Sequence, residues 1–123
     1  MSVRGIRGAI TVEEDQPEAI LQATRELLEA ILKANPELRP DDIASTFFTV
    51  TVDLRSAYPA QAAREMDWGS VPLICAQEIP VPNGLRRCIR VLIHWNTELA
   101  VNSIHHVYLR QATSLRPDLV DQS

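Results

Sequence analysis

One stretch of this sequence constrains the fold more than any other. Between Pro17 and Ala34, the residues Ile20, Leu21, Thr24, Leu27, Leu28, Ile31 and Leu32 recur at helical spacing and make a single apolar stripe. A helix with one such stripe has to bury it against a second layer of structure. Asp15 with Glu18 resembles a capping box, Pro17 suits a first helical turn, and Asn35-Pro36 closes the run. The stripe is continuous and uncharged, so this helix is a packing element to which no chemistry is assigned.

The layer beneath it has to come from short segments of alternating pattern. Residues 3 to 12 place Ile6, Ile10 and Val12 on one parity and Val3, Gly5, Arg7, Ala9 and Thr11 on the other, which reads as a strand. TFFTVTV, residues 46 to 52, is β-branched and aromatic and gives a second strand. Pro59 opens a short helix through Met66 that carries Arg64. VPLICAQEI, residues 71 to 79, forms a third strand, and Pro80, Pro82, Asn83 and Gly84 supply the turn chemistry of a hairpin into the fourth. That fourth strand, residues 87 to 95, alternates Ile89, Val91, Ile93 and Trp95 against Cys88, Arg90, Leu92 and His94. A fifth, residues 105 to 113, carries Tyr108. There is no repeat and no linker. The expectation is one α+β domain over residues 1–119, with a five-stranded antiparallel or mixed sheet, one long helix and one or two short ones, and a polar tail over 120–123.

Charge excludes some functions. The net charge of −4 argues against a nucleic-acid binder, which usually gathers a basic surplus on one face. Of the twelve basic residues eleven are Arg and one is Lys33. The planar guanidinium fork matches carboxylates, although a GC-rich genome produces the same bias. Cys75 and Cys88 make neither a CxxC pair nor a disulfide framework, so a reducing compartment is the default. MSVRGIRGAITVEED has charges and glycines where a signal peptide needs an apolar run, and CIRVLIHW is too short to span a bilayer. The expectation is a cytoplasmic protein with no membrane or nucleic-acid partner.

Nucleophilic and metal chemistry find no support either. There is no GxSxG, no Gly-rich phosphate loop and no HExxH, and the adjacent His105 and His106 would point to opposite faces of a strand. What stands out is charge inside apolar strand sequence. Arg90 sits in CIRVLI, where an unpaired buried guanidinium is costly, so it needs an anionic partner. Glu78 on the preceding strand is the obvious structural partner. A ligand carboxylate is the other, and periodicity leaves both open. Arg7, flanked at i±2 by Gly5 and Ala9, has room beside it for a ligand, or is simply a solvated strand residue. Tyr108 alone reads as a core aromatic with its hydroxyl at the surface.

Taken in order, RGIRGAITVE, YPAQAAREM, VPLICAQEI, LRRCIRVLIHWNT and HHVYLRQATSLRPDL cover nearly the whole chain and resemble the monofunctional chorismate mutases of the trimeric pseudo-α/β-barrel class. The resemblance implies an isomerase of aromatic amino-acid biosynthesis that converts chorismate to prephenate by an intramolecular [3,3] rearrangement. It implies no cofactor, and a homotrimer with its sites between subunits. By the same resemblance Arg90 donates to the ether oxygen and a substrate carboxylate. Arg7 and Tyr108 contact a carboxylate and the ring-side oxygens, and Glu78 and Cys75 bind the ring hydroxyl. Tyr58 and Arg64 come from the neighbouring subunit, Leu115 and Arg116 close the pocket, and Ile74 is a further lining position. Three residues depart from the family pattern: Tyr58 where Phe is common, Gln61 where Lys occurs and Ile74 where Thr occurs. Without a Lys at position 61, a fourth cationic contact falls to Arg64 or Arg116. Two other classes share parts of this pattern: a trimeric enamine or imine deaminase, which would not need Glu78 and Arg90 together, and a non-catalytic carboxylate-binding module.

Overall fold

A computed structural model describes residues 2–115. The order of elements is β1 (Val3–Thr11), α1 (Pro17–Ala34), β2 (Ile43–Val50), α2 (Pro59–Glu65), β3 (Leu73–Gln77), β4 (Cys88–Asn96) and β5 (Val107–Leu109), with short 3-10 turns at Pro40–Asp42, Val101–Ser103 and Arg110–Ser114. One mixed five-stranded sheet has the order β3-β2-β4-β1-β5. The inner pairs β2–β4 and β4–β1 are antiparallel, and the two edge strands join in parallel, β3 to β2 and β5 to β1. The expected α+β class and strand count hold. The tail at 120–123 lies outside the described residues.

Three local expectations are corrected. β3 and β4 are not a hairpin, because β2 lies between them, and the Pro80–Gly84 turn starts a connection that passes over β2. Gln16 rather than Asp15 caps α1, without a side-chain hydrogen bond. The Asp15 carboxylate instead accepts from the backbone N–H groups of Arg55 and Ser56 at 2.9 and 3.0 Å, tying the loop before α2 to the start of α1. The fifth strand stops at Leu109, where Arg110 takes a left-handed φ of 55° and turns the chain away from the sheet.

The two faces of the sheet differ. α1 covers one face, and Ile20, Leu27, Leu28 and Ile31 pack there with Ile6, Ile10, Phe48, Ile89, Ile93 and Trp95 in one continuous core. Gly8 lies at the tightest point. A Cβ there would stand 2.9 Å from Ile31 Cδ1 and 3.1 Å from Val91 Cγ1, so helix and sheet approach through the missing side chain. On the opposite face, among the described residues, only the 3-10 turn Arg110–Ser114 packs, with Ala112 against Ala9 and Cys88. Phe47, Leu92 and Ile74 remain exposed there, at 43%, 36% and 55%, which is unusual for side chains of this size.

Candidate active site

The register explains why distant residues meet on the open face. Thr49 of β2 pairs with Arg90 of β4, Arg90 with Ala9 of β1, and Ala9 with Tyr108 of β5, so these four form one row across four strands. The next row, two residues along, is Ile74, Phe47, Leu92 and Arg7. Residues two apart share a face, so Arg7 stands diagonal to Arg90; Ala9, between Arg90 and Tyr108, is buried under Ala112, and the open room lies beside it on the Arg7 side. A cavity of about 290 Å³ opens there, lined by Arg7, Thr49, Glu78, Arg90, Leu92 and Tyr108 among others. The room expected beside Arg7 is present.

Arg90 is not buried in this chain. Its alternation with Ile89 and Val91 sends it to the open face, where its side chain is 49% exposed. Its anion is Glu78, with Oε2 3.6 Å from Arg90 Nε. The pair forms across an intervening strand, because Glu78 follows the end of β3 and reaches over β2. The Glu78 N–H donates to Val50 O at 2.8 Å and extends the ladder by one residue, and the Thr49 hydroxyl donates to Glu78 Oε2. No carboxylate among the described residues pairs with Arg7. Two guanidiniums thus face one carboxylate, a locally positive site in a chain of net charge −4.

The remaining predicted residues fall elsewhere. Cys75 pairs in register with Phe48, so its side chain has the opposite parity to Glu78 and packs partly against the main core. Within one chain it does not join Glu78. It lines a second cavity, of about 330 Å³, together with Tyr58, Arg64, Leu73 and Ile74, between the edge strand β3 and α2. Tyr58 is 71% exposed at its rim. Gln61, at the position where the family often has Lys, is occupied by an intrahelical hydrogen bond to Glu65 at 3.2 Å. Leu115 packs with Tyr108 on the small cluster of Ala9, Cys88 and Ala112, beside the first cavity. Arg116 lies outside the described residues. Burial pushes the Cys88 thiol up to about 11, with Glu78 adding to the shift and Arg90 opposing it, so Cys88 stays neutral beneath the charged pair.

Thr49, Phe47 and Leu92 were not anticipated as lining residues. Their parity is legible in TFFTVTV and CIRVLI, but their place beside Arg90 depends on β2 lying next to β4, which the expected hairpin obscured.

The arginine pair, the opposed carboxylate and the exposed apolar rim on an open sheet define a small α+β protein that binds an organic anion. Residues 3–119 match the family described as chorismate mutase type I. The chain belongs to that family. It is 59% identical over 117 residues to the chorismate mutase AroH of Thermus thermophilus, covering 95% of this chain and 96% of that one. It is 46% identical over 120 residues to the chorismate mutase AroH of Bacillus subtilis (strain 168), covering 97% and 94%. Its fold superposes on a solved chorismate mutase from Clostridium thermocellum with a TM-score of 0.87 at 46% identity, over 89% of this chain and 97% of the other.

Proposed function

We propose that this chorismate mutase rearranges chorismate to prephenate in a pocket that two subunits complete, with Arg90 as the principal catalytic residue. The observation that carries the reading is the division of the predicted site into two halves. Arg7, Glu78, Arg90 and Tyr108 share one cavity, whereas Tyr58, Arg64, Ile74 and Cys75 share another. Apolar residues of the open face stand next to both, with Phe47 and Leu92 at the first cavity and Ile74 at the second. Covering these residues with a second copy brings one chain's first half against its neighbour's second half, and a closed ring of three such contacts is the homotrimer that the family resemblance implies.

The chemistry suits the residues. A [3,3] rearrangement breaks and forms bonds within one molecule and needs no nucleophile or cofactor. The enzyme has to hold a flexible dianion in its folded reactive shape and to stabilise negative charge on the breaking ether oxygen. Arg90 donates to that oxygen and to a carboxylate. Arg7 and Tyr108 hold a carboxylate and the ring-side oxygens, and Glu78 accepts from the ring hydroxyl. Tyr58, Arg64, Ile74 and Cys75 arrive from the neighbouring subunit, so Cys75 meets the ring hydroxyl across the interface. Leu115 and Arg116 close the pocket. The reaction takes place in the cytoplasm, in keeping with two cysteines that form no disulfide. No helix among the described residues is long and apolar enough to cross a membrane.

Subunit mixing tests this directly. Arg90→Ala and Arg64→Ala proteins are each expected to consume chorismate very slowly. After the two are unfolded and refolded together, random assembly gives about a quarter of the sites both wild-type halves, and activity returns to about that fraction. Separate assembly followed by mixing without exchange gives no recovery. A co-refolded mixture as inactive as its parents rules out the shared pocket.

A further inference from the structure

We infer that Thr49 is a positioning residue that holds Glu78 off Arg90 and aims the free carboxylate oxygen at the substrate. The inference rests on the reading above that Glu78 and Arg90 both face chorismate. Arg90 and Glu78 are opposite charges with a gap of 3.6 Å, longer than the contact such groups make when nothing restrains them. What restrains them is visible. Thr49 lies in the row between them, paired in register with Arg90 on one side and with Ala76 of β3 on the other. Its hydroxyl donates to Glu78 Oε2, the same oxygen that faces Arg90 Nε. The Glu78 backbone is fixed to β2 by its N–H at Val50 O, 2.8 Å away.

One carboxylate oxygen therefore accepts from Thr49 and faces Arg90 across the 3.6 Å gap, and among the described residues no protein donor hydrogen-bonds to Oε1. A carboxylate accepts through both oxygens, so Oε1 remains for a donor entering from above the sheet, and the ring hydroxyl is such a donor. Without the Thr49 hydroxyl nothing opposes the Coulomb attraction between Glu78 and Arg90. The carboxylate then closes on the guanidinium, engages the N–H groups that the reaction uses, and turns Oε1 away from the cavity. The expected consequence is a loss in two places: affinity, through the misdirected Glu78, and turnover, through the occupied Arg90.

The experiment is a double-mutant cycle in chorismate consumption, with each variant checked for its melting temperature. Thr49→Val keeps the volume and removes the hydroxyl, and kcat/KM is expected to fall by about tenfold, as for a partly lost hydrogen bond to a charged group. Thr49→Ser keeps the hydroxyl and is expected to stay within about twofold of wild type. In a Glu78→Ala background, Thr49→Val should have no further effect, because Thr49 acts only through that carboxylate. Three results overturn the inference and leave the site reading intact: Thr49→Val with wild-type kinetics while Glu78→Ala is impaired, Thr49→Ser as poor as Thr49→Val, or an equal loss from Thr49→Val with and without Glu78. Wild-type kinetics for Glu78→Ala removes the site reading itself.

Discussion

The two faces of the sheet are built from the same strands, and often from neighbouring residues, yet among the described residues only one is finished, by the covering helix α1. On the α1 face Phe48, Ile89, Ile93 and Trp95 are almost wholly buried. On the other, Phe47, Leu92 and Arg90 are left 36% to 49% exposed by the same alternation. A strand distributes side chains with period two and has no preference for which face is covered. The covered face therefore bears on stability, and the open one on the proposed subunit contact and substrate site. An apolar rim around two arginines calls for both a protein surface and an anion.

The sharpest way to break this contrast is to alter each face and ask which property changes. Arg90→Ala is expected to lose about 3–5 kcal/mol of transition-state stabilisation, the size of an oxyanion donor with a full charge added. Its half-exposed position on the open face should leave folding stability within about 0.5 kcal/mol. Chorismate consumption and denaturant unfolding measured on the same preparation check both parts. Normal turnover of the Ala protein would sink the assignment of Arg90.

Phe47 and Phe48 make a matched pair of adjacent residues that point to opposite faces. Phe48→Ala opens a cavity under α1 and is expected to cost about 3–5 kcal/mol of stability. Phe47→Ala removes part of the uncovered rim, and its effect should be seen in assembly: sedimentation shifts toward monomer at a higher protein concentration than for wild type, and activity falls with it on dilution. If Phe47→Ala destabilises the chain as Phe48→Ala does and leaves assembly unchanged, the two faces are not different in kind. A smaller effect is expected at Gly8, where an added Cβ meets Ile31, Val91 and the Val107 carbonyl. Gly8→Ala should cost about 1–3 kcal/mol by overpacking, read as a lower unfolding midpoint.

The finished face was legible in the sequence because burial leaves a period. The helix from Pro17 to Ala34 and the inward set Ile89, Val91, Ile93 and Trp95 both follow from spacing alone. The order of strands was not legible. Parallel edge strands are joined by long connections, and nothing local marks β2 as the neighbour of both β3 and β4. For that reason Glu78 was correctly named as the partner of Arg90 but assigned the wrong route to it, and Thr49 beneath them went unnoticed. The proposed site roles rest on the five ordered blocks of resemblance and not on spacing. A residue such as Arg64 or Tyr58, whose proposed role depends on a neighbouring copy, leaves no mark in the periodicity of its own chain.

The smallest effect is expected where the two regions meet. Asp15 holds the loop that leads to Tyr58, and so ties a rim residue of the second cavity to the segment that enters the core helix. The backbone N–H of Arg55, and then Ser56, favour the charged carboxylate and lower its pKa below the ordinary value of 3.8. A carboxylate whose folded pKa is depressed stabilises the fold at any pH above its unfolded value, and that contribution is lost as pH falls through the folded value. Asp15→Ala should therefore lower the melting temperature slightly at pH 7, and the gap from wild type should close on acidification below about pH 4. Because Asp15 is only partly buried, the effect on chorismate turnover is the more telling readout. A raised KM at pH 7 with an almost unchanged melting temperature places the clamp in the service of Tyr58 and the open region, whereas a melting temperature that falls with KM unchanged assigns it to the core.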